Sequence, residues 1–179
     1  MTRYVALLRA INVGGHVVKM DRLRTLFAAM GVDQVETFIA SGNVIFSSAA
    51  RNAATLEKRI AGQLETALGY EVATFLRTTA EIGRIARHQP FKDAPAGATL
   101  YIGFLPAPLD AKAKRVVASM KTDVDDFHVR DREVFWLCRV KSMESVFSAA
   151  RLEKALRMPA TFRNANTVRR LAAKYPASR

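Results

Sequence analysis

The order in which strand-like and helix-like apolar segments alternate constrains the fold of this chain more than any other feature of its sequence. Over the first 77 residues the order is strand, helix, strand, strand, helix, strand. The expected strands cover residues 4–11, 35–40, 44–46 and 71–76, and the expected helices cover residues 20–30 and 53–68. This is the order of a split βαβ unit, so the sequence predicts a ferredoxin-like α+β sandwich.

Both helices are predicted from apolar side chains that recur one turn apart and would form a single stripe. These side chains are Leu23, Leu26, Phe27 and Met30 in the first helix and Leu56, Ile60, Leu64 and Leu68 in the second. A glycine, Gly31 or Gly69, follows each stripe and is a typical C-terminal stop. Between the helices, Ser41-Gly42-Asn43 joins two strand-like runs and indicates a hairpin turn.

The second half of the chain repeats most of this order. Strand-like runs occupy residues 99–105, 127–129 and 134–138, and helical segments occupy residues 113–120, 144–157 and 164–175. The final strand of the first half has no counterpart, because a helix is predicted in its place. We therefore expect two ferredoxin-like (βαββαβ-type) lobes from an internal duplication, with extra C-terminal helices. The expected boundaries are residues 1–77 for the first lobe, 78–98 for a helical connector and 99–179 for the second lobe with its helices.

Composition is typical of a globular protein from a reducing compartment. Half of the 179 residues are apolar, yet no apolar run approaches the ~18 residues that span a bilayer, and the N-terminus lacks a signal-peptide pattern. The single cysteine, Cys138, cannot form an internal disulfide and is expected to pack in the core. We therefore expect a cytoplasmic protein that binds no membrane, with its oligomeric state left open.

The titratable residues do not indicate a metal or cofactor site. The three histidines, which are scattered without ligand spacing, are His16, His88 and His128. Asp123, Asp125 and Asp126 are close in sequence, but no glycine or distal glutamate completes an EF-hand loop, so we expect a solvated turn. No cofactor and no metal are expected, and catalytic residues are not assigned, so the sequence leaves open whether the protein is an enzyme.

Positive charge is concentrated near the C-terminus. The formal net charge is +12, and residues 141–179 hold nine basic and two acidic residues. Such an excess permits contact with polyanions, so a nucleic-acid-binding module that uses the basic C-terminal helices is one candidate function. Tyr101, Phe135 and Trp136 lie on expected strands where they could stack on RNA bases, but the RNP1 pattern is missing and the same side chains fit a core.

Two glycine-containing turns carry polar residues that stand out from the apolar background. Residues 9–15 end the first expected strand with an arginine, an asparagine and two glycines, and residues 41–43 form the hairpin turn. Glycine lets backbone N–H groups approach a ligand closely, and guanidinium and amide groups donate hydrogen bonds to anions. Plain tight turns are the competing interpretation, because neither turn has the spacing of a phosphate-binding loop or a nucleophile elbow.

The same residues carry a family resemblance. The chain resembles the bacterial family called domain of unknown function 1697 at residues 7–15 (LLRAINVGG), Lys19, Met20, Leu23 and residues 41–44 (SGNV). Near the C-terminus, residues 159–168 (PATFRNANTV) resemble the second signature of that family. The resemblance implies a two-lobed α+β fold of ferredoxin-like character and no established activity.

The sequence also departs from the pattern of that family. Ala10 stands where the family commonly has a glycine, and the segment between Gly15 and Met20 is a residue short. Phe162 and Ala165 stand where the family often shows a threonine and a tryptophan. The missing tryptophan argues against a ring that stacks on a ligand at this position, whereas the polar part of the second signature is retained.

Together these segments predict a polar cleft for a small anionic or phosphorylated ligand. Arg9 and Arg163 would supply charge, the asparagines amide contacts, and the glycines close backbone approach. A structural ion pair is an equally good interpretation of Arg9, because a guanidinium within an aliphatic strand needs a partner. The expected ligand-binding residues are Arg9, Asn12, Gly14, Gly15, Ser41, Gly42, Asn43, Arg163, Asn164 and Asn166.

Overall fold

Two four-stranded antiparallel sheets organise the protein in a computed structural model, which describes residues 1–177. The chain divides into two compact units. Unit 1 comprises Met1–Arg84 together with residues 171–177, and unit 2 comprises Ile85–Arg170. Both combine helices with their sheet, so the α+β class expected from the sequence is confirmed.

Unit 1 follows the expected order of elements. Its elements are β1 (Thr2–Leu8), α1 (Met20–Ala29), β2 (Asp33–Thr37), β3 (Asn43–Ser48), α2 (Ala53–Leu68), β4 (Thr74–Thr78) and α3 (Thr79–Arg87), which continues into unit 2. The strand order in the sheet is β2-β3-β1-β4, and all neighbouring strands are antiparallel. The two expected helices are confirmed as α1 and α2.

The core of unit 1 follows from the two apolar stripes. α2 begins after Asn52, whose side chain accepts a hydrogen bond from the Thr55 N–H at 3.0 Å, an N-cap that satisfies one free donor of the first turn. Its stripe packs against α1 and one face of the sheet in a single cluster of buried side chains. Each large apolar side chain buried in this way contributes about 1.5–3 kcal/mol. Members of the cluster from the helices are Leu23, Phe27, Leu56, Ile60 and Leu64.

The first strand is shorter than its apolar run suggests. β1 ends at Leu8, and Ala10 and Asn12 adopt φ angles of 63° and 57°. Residues in this left-handed region cannot continue a strand, so the chain leaves the sheet at Arg9. The expectation of a strand through residue 11 was wrong, because alanine gives no sign of a left-handed conformation.

Unit 2 contains a second sheet of the same strand order. Its elements are β5 (Thr99–Phe104), α4 (Ala111–Ala118), β6 (Asp125–Arg130), β7 (Glu133–Cys138), a 3₁₀ turn (Ser142–Glu144), α5 (Ala149–Leu156), β8 (Thr161–Asn164) and the start of α6 (Ala165–Lys174). The order is β6-β7-β5-β8, again with antiparallel neighbours. The expectation that a helix replaces the last strand was wrong, since β8 pairs with β5 and sets Arg163 opposite Ile102.

The core of unit 2 lies against one face of β7. Val134, Trp136 and Cys138 alternate along this strand and pack with Val117 of α4 and Leu152 of α5. The thiol of Cys138 is fully buried and donates a hydrogen bond to the Val140 carbonyl oxygen at 3.2 Å, in agreement with the packing role expected for it. Among residues 1–177, no helix has the length and hydropathy needed to cross a membrane.

Candidate functional site

The loop that follows β1 is held in place by Asn12. The Asn12 Nδ2 group donates to the Ala40 carbonyl oxygen at 2.9 Å, and Oδ1 accepts from the Val18 N–H at 2.8 Å. The side chain therefore closes its own loop and ties it to the β2–β3 connection. One N–H of the amide is left for any further partner, so a ligand contact from Asn12 stays a prediction.

A second anchor of this loop is Tyr70. Its hydroxyl donates to the Ala10 carbonyl oxygen at 3.2 Å, and its ring stacks on the ring of His16 with centroids 3.8 Å apart. Burial raises the pKa of the Tyr70 hydroxyl, so it remains a donor at neutral pH. The left-handed residues of the loop are thus held by contacts from outside it.

The turn at residues 41–43 packs against the base of the same loop. Asn43 is only 1% exposed, and its Nδ2 group donates to the Phe38 carbonyl oxygen at 3.0 Å and to Ser41 Oγ at 2.8 Å. A Cβ atom on Gly42 would lie 3.0 Å from Ile11 Cβ, and the φ of this glycine is +73°. Glycine is required here by close packing and by backbone conformation. The turn at residues 41–43 therefore has a structural role in packing against the loop after β1.

Three expected site residues of unit 1 reach the solvent. Arg9, Gly14 and Gly15 are exposed, and both glycines have positive φ with open space where a side chain would be. The Arg9 backbone N–H donates to the Ala73 carbonyl oxygen at 2.9 Å, which fixes the end of β1. Arg9 therefore follows the last residue of β1, and its exposed position keeps the charged side chain out of the apolar core.

Arg163 of unit 2 is buried. Its side chain is 9% exposed, and Nη1 donates to Thr161 Oγ1 at 2.9 Å and to the Phe162 carbonyl oxygen at 3.0 Å. Burial lowers the pKa of this guanidinium to about 10, so it stays charged at neutral pH. Both bonds lie within β8 and stabilise this strand. A ligand contact from Arg163 stays a prediction.

The other two expected site residues of unit 2, Asn164 and Asn166, line a pocket. We call it the α6 pocket, and its volume is about 290 Å³. Its lining combines polar side chains at the start of α6 with mostly apolar ones from the segment before β5 and from the sheet. The lining residues are Gln89, Pro90, Phe91, Ala94, Ala98, Thr99, Leu100, Leu137, Asn164, Ala165, Asn166 and Arg169.

The polar groups of the α6 pocket organise one another. Asn164 Oδ1 accepts a hydrogen bond from the Asn166 N–H at 2.8 Å, and Asn166 Oδ1 accepts one from Arg169 Nη1 at 2.9 Å. Both asparagines thus use their oxygens inside the protein and keep their Nδ2 groups for other partners. Together with the remaining guanidinium N–H groups of Arg169, they form a set of donors with positive charge, which suits an anion.

Sequence reasoning missed Arg169, although a local signal for it exists. Asn166 and Arg169 are three residues apart on α6, and side chains with this spacing on a helix are neighbours. The second signature ends at residue 168, and Arg169 itself was not singled out within the basic helix. The combination of an asparagine in the first helical turn with an arginine three residues later could have found it.

His88 lies directly before the wall of the α6 pocket. Its Nδ1 atom is 2.9 Å from Arg130 Nη1, and because arginine only donates, Nδ1 accepts and the ring proton lies on Nε2. Nε2 is buried without a hydrogen-bond partner, and the ring lies 5.1 Å from that of His128 and 4.9 Å from that of Phe135. Burial, reinforced by the charge of Arg130, lowers the pKa of His88.

Asp125 corrects the expectation of a solvated turn. The carboxylate is fully buried and accepts hydrogen bonds from Trp136 Nε1 at 2.7 Å, from Thr122 Oγ1 at 3.0 Å and from Ser145 Oγ, which reaches both oxygens at 2.9 and 2.8 Å. A buried carboxylate needs such partners. This network fastens the segment after β7 to the sheet. Within the described part of the chain, no three His, Cys, Asp or Glu side chains are grouped to hold a metal ion.

Comparison with known proteins places the chain in a family without a known activity. Residues 1–135 match the family described as protein of unknown function (DUF1697). A solved structure, that of the conserved bacterial protein SP0830 from Streptococcus pneumoniae, is similar with a TM-score of 0.76 at 24% sequence identity, and 98% of each chain is covered. At this identity the likeness concerns the fold. A search of curated proteins found no match. Because the family match spans well over half of the sequence, this chain belongs to the DUF1697 family of proteins of unknown function.

Proposed function

We propose that this protein binds a small anionic or phosphorylated ligand in the α6 pocket. The observation that carries the proposal is the donor set of this pocket, in which Asn164, Asn166 and Arg169 are held by their own hydrogen bonds. Donors that are ordered before binding lose little conformational entropy when an anion arrives. The start of the ten-residue helix α6 adds partial positive charge at the same place.

The turns of unit 1 form a second part of this proposal. We predicted from the sequence that residues 9–15 and 41–43 join Arg163-Asn164 in one polar cleft. In unit 1, Asn12 and Asn43 use most of their amide groups within the fold. Arg9 and the two glycines are exposed, and we propose them as the contacts there. Substitution Arg9→Ala tests this part, because it should weaken anion binding only if these turns contribute.

We further propose that both units are ferredoxin-like and arose by duplication. The strand order supports this, because it is the same in both sheets and places the third strand in the chain between the first and the second. We propose the same division as the sequence predicts, into residues 1–77, 78–98 and 99–179. A cytoplasmic location is a separate proposal. Limited proteolysis tests the division, since cleavage should concentrate in the connector.

Titration calorimetry with inorganic phosphate and small phosphate esters at low ionic strength tests the binding proposal. We expect Arg169→Gln to weaken binding by about 10- to 100-fold, since a hydrogen bond to a charged group contributes about 1.5–3 kcal/mol. Arg115→Gln is the matched control, because Arg115 is exposed on α4 and lies outside the pocket. Equal binding by the wild type and Arg169→Gln, or no binding of any anion, would refute the proposal.

The alternative function is nucleic-acid binding by the basic C-terminal helices. It is favoured by three exposed basic residues at α5, namely Arg151, Lys154 and Arg157. Against it, Phe135 and Trp136 are buried and cannot stack on bases. If this alternative holds, short oligonucleotides bind with an affinity that falls steeply with salt, and charge reversal on α5 abolishes binding while Arg169→Gln has little effect.

A further inference from the structure

We infer that the anionic group of the ligand is attached to a flat apolar body, as in an aryl phosphate or an aromatic carboxylic acid. This inference rests on the proposed function, because it concerns the same α6 pocket. It extends the proposal from the headgroup, which the start of α6 would hold, to the rest of the molecule.

The first argument is the origin of the lining residues. The charged donor and the two asparagine amides come from residues 164–169, whereas the remaining lining comes from the segment before β5 and from the sheet. That remainder contains Pro90, Phe91, Leu100 and Leu137, and its polar members are Gln89 and Thr99. A ligand that fills the pocket therefore has donors for its anionic group, and its body meets mostly apolar side chains together with Gln89 and Thr99.

The second argument excludes a sugar as that body. Each hydroxyl of a sugar needs a hydrogen-bond partner when it is buried, and an unpaired polar group is costly. Outside the α6 group, Gln89 and Thr99 are the two lining side chains that can pair with the hydroxyls of such a ring. A site of this composition discriminates against such a ligand because the hydroxyls lose their bonds to water without replacement.

The third argument is size. A volume of about 290 Å³ is just below the roughly 300–1,000 Å³ that is typical of ligand pockets. One ring with a headgroup suits this volume better than a nucleotide with its base and sugar. Phe91 provides an aromatic ring in the lining, and a planar ring can pack on it by offset stacking or edge to face.

Titration calorimetry with five probes tests the inference. The probes are inorganic phosphate, phenyl phosphate, glucose 6-phosphate, benzoate and acetate. We expect phenyl phosphate to bind about tenfold or more tightly than inorganic phosphate or glucose 6-phosphate, because several apolar carbons leave water. Binding of benzoate that exceeds binding of acetate supports the same inference for a carboxylate headgroup.

Variants at Phe91 locate the preference. Phe91→Ala should reduce the advantage of phenyl phosphate over inorganic phosphate by about fivefold to tenfold, and Phe91→Leu should keep part of it. Met143→Ala is the control, since Met143 is 88% exposed and lies outside the pocket. Circular dichroism of each variant verifies that it is folded.

The outcomes separate this inference from the proposed function. If glucose 6-phosphate binds as tightly as phenyl phosphate, or if Phe91→Leu and Phe91→Ala leave the preference unchanged, the inference is wrong while anion binding stands. If none of the probes binds, the proposed function fails and the inference fails with it. A preference for the aromatic probes that is reduced by both Phe91 variants supports the inference.

Discussion

The asparagines of the unit 1 turns and those at the start of α6 use different atoms of their side-chain amides within the protein. In unit 1, the amide N–H groups of Asn43 and one of Asn12 donate to groups of the protein itself. At the start of α6, Asn164 and Asn166 use only their oxygens and keep their N–H groups. Residue type therefore does not distinguish an asparagine that builds a turn from one that can bind a ligand. The direction of the amide makes the distinction.

The largest effect that this comparison predicts is at Gly42. The substitution Gly42→Ala places a side chain at positive φ and 3.0 Å from Ile11 Cβ, so we expect it to lower the free energy of unfolding by about 3 kcal/mol. Gly15→Ala is the control, because Gly15 also has positive φ but has open space around it, and it should cost about 1 kcal/mol. Urea unfolding measures both. Equal losses would show that close packing at Gly42 is unimportant.

The second prediction concerns the buried amide of unit 1. We expect Asn43→Ala to lower the free energy of unfolding by about 2 kcal/mol, since the buried hydrogen bonds from Asn43 to Phe38 and Ser41 are lost. Asn43→Asp keeps the size but removes the donors, so it should be similarly destabilising. Urea unfolding of both variants provides the measurement. Phosphate binding per folded molecule should be unchanged, and a loss of binding would assign Asn43 to the ligand site after all.

The third prediction concerns the start of α6. Asn166→Ala should cost less than about 0.5 kcal/mol of stability, because this residue is exposed. It should nevertheless weaken phosphate binding by about fivefold, as Arg169 loses the oxygen that orients it. Calorimetric titration and urea unfolding of the same sample measure both quantities. A stability loss as large as that of Asn43→Ala would show that Asn166 has the same structural role as Asn43, which contradicts the prediction.

The smallest predicted effect is a pH dependence from His88. Because the pKa of His88 is lowered in the folded protein, the unfolded chain takes up this proton first as the pH falls below about 6.5. The contribution of His88 to the free energy of unfolding is complete above that pH and is lost as the pH falls towards the folded-state pKa. Thermal unfolding between pH 7.5 and 5 measures the slope. His88→Gln should flatten it, and a slope that is unchanged relative to His16→Gln contradicts the prediction.

Periodic segments account for what could be predicted of the fold. The stripes of α1 and α2 repeat over several turns, so their helices are recognisable without tertiary information. β8 was missed because it has only four residues, two of them Arg163 and Asn164, and its strand conformation is set by pairing with β5. The end of β1 at Leu8 was missed because a left-handed alanine has no signature in sequence.

The candidate site was predictable only in part for a similar reason. Asn164 and Asn166 were identified from their motif, which is local in sequence. The apolar part of its lining was not, because Phe91 lies in the expected connector and comes to line the same pocket as Leu137 only through the fold. Asp125 shows the same limit, since its partner Ser145 is twenty residues away along the chain. Contacts between distant residues are set by topology, which periodicity does not contain.

The buried thiol of Cys138 makes local unfolding of unit 2 measurable, because the thiol can react only when β7 becomes accessible. Burial raises the pKa of Cys138, and a raised pKa keeps the unreactive thiol form at neutral pH. Since the sequence has one cysteine, reaction with a thiol-specific alkylating reagent occurs at a single known position in the core of unit 2. The rate of alkylation therefore measures how often β7 becomes accessible, and a ligand that binds the folded protein should slow that rate, so no reporter cysteine has to be introduced by mutation.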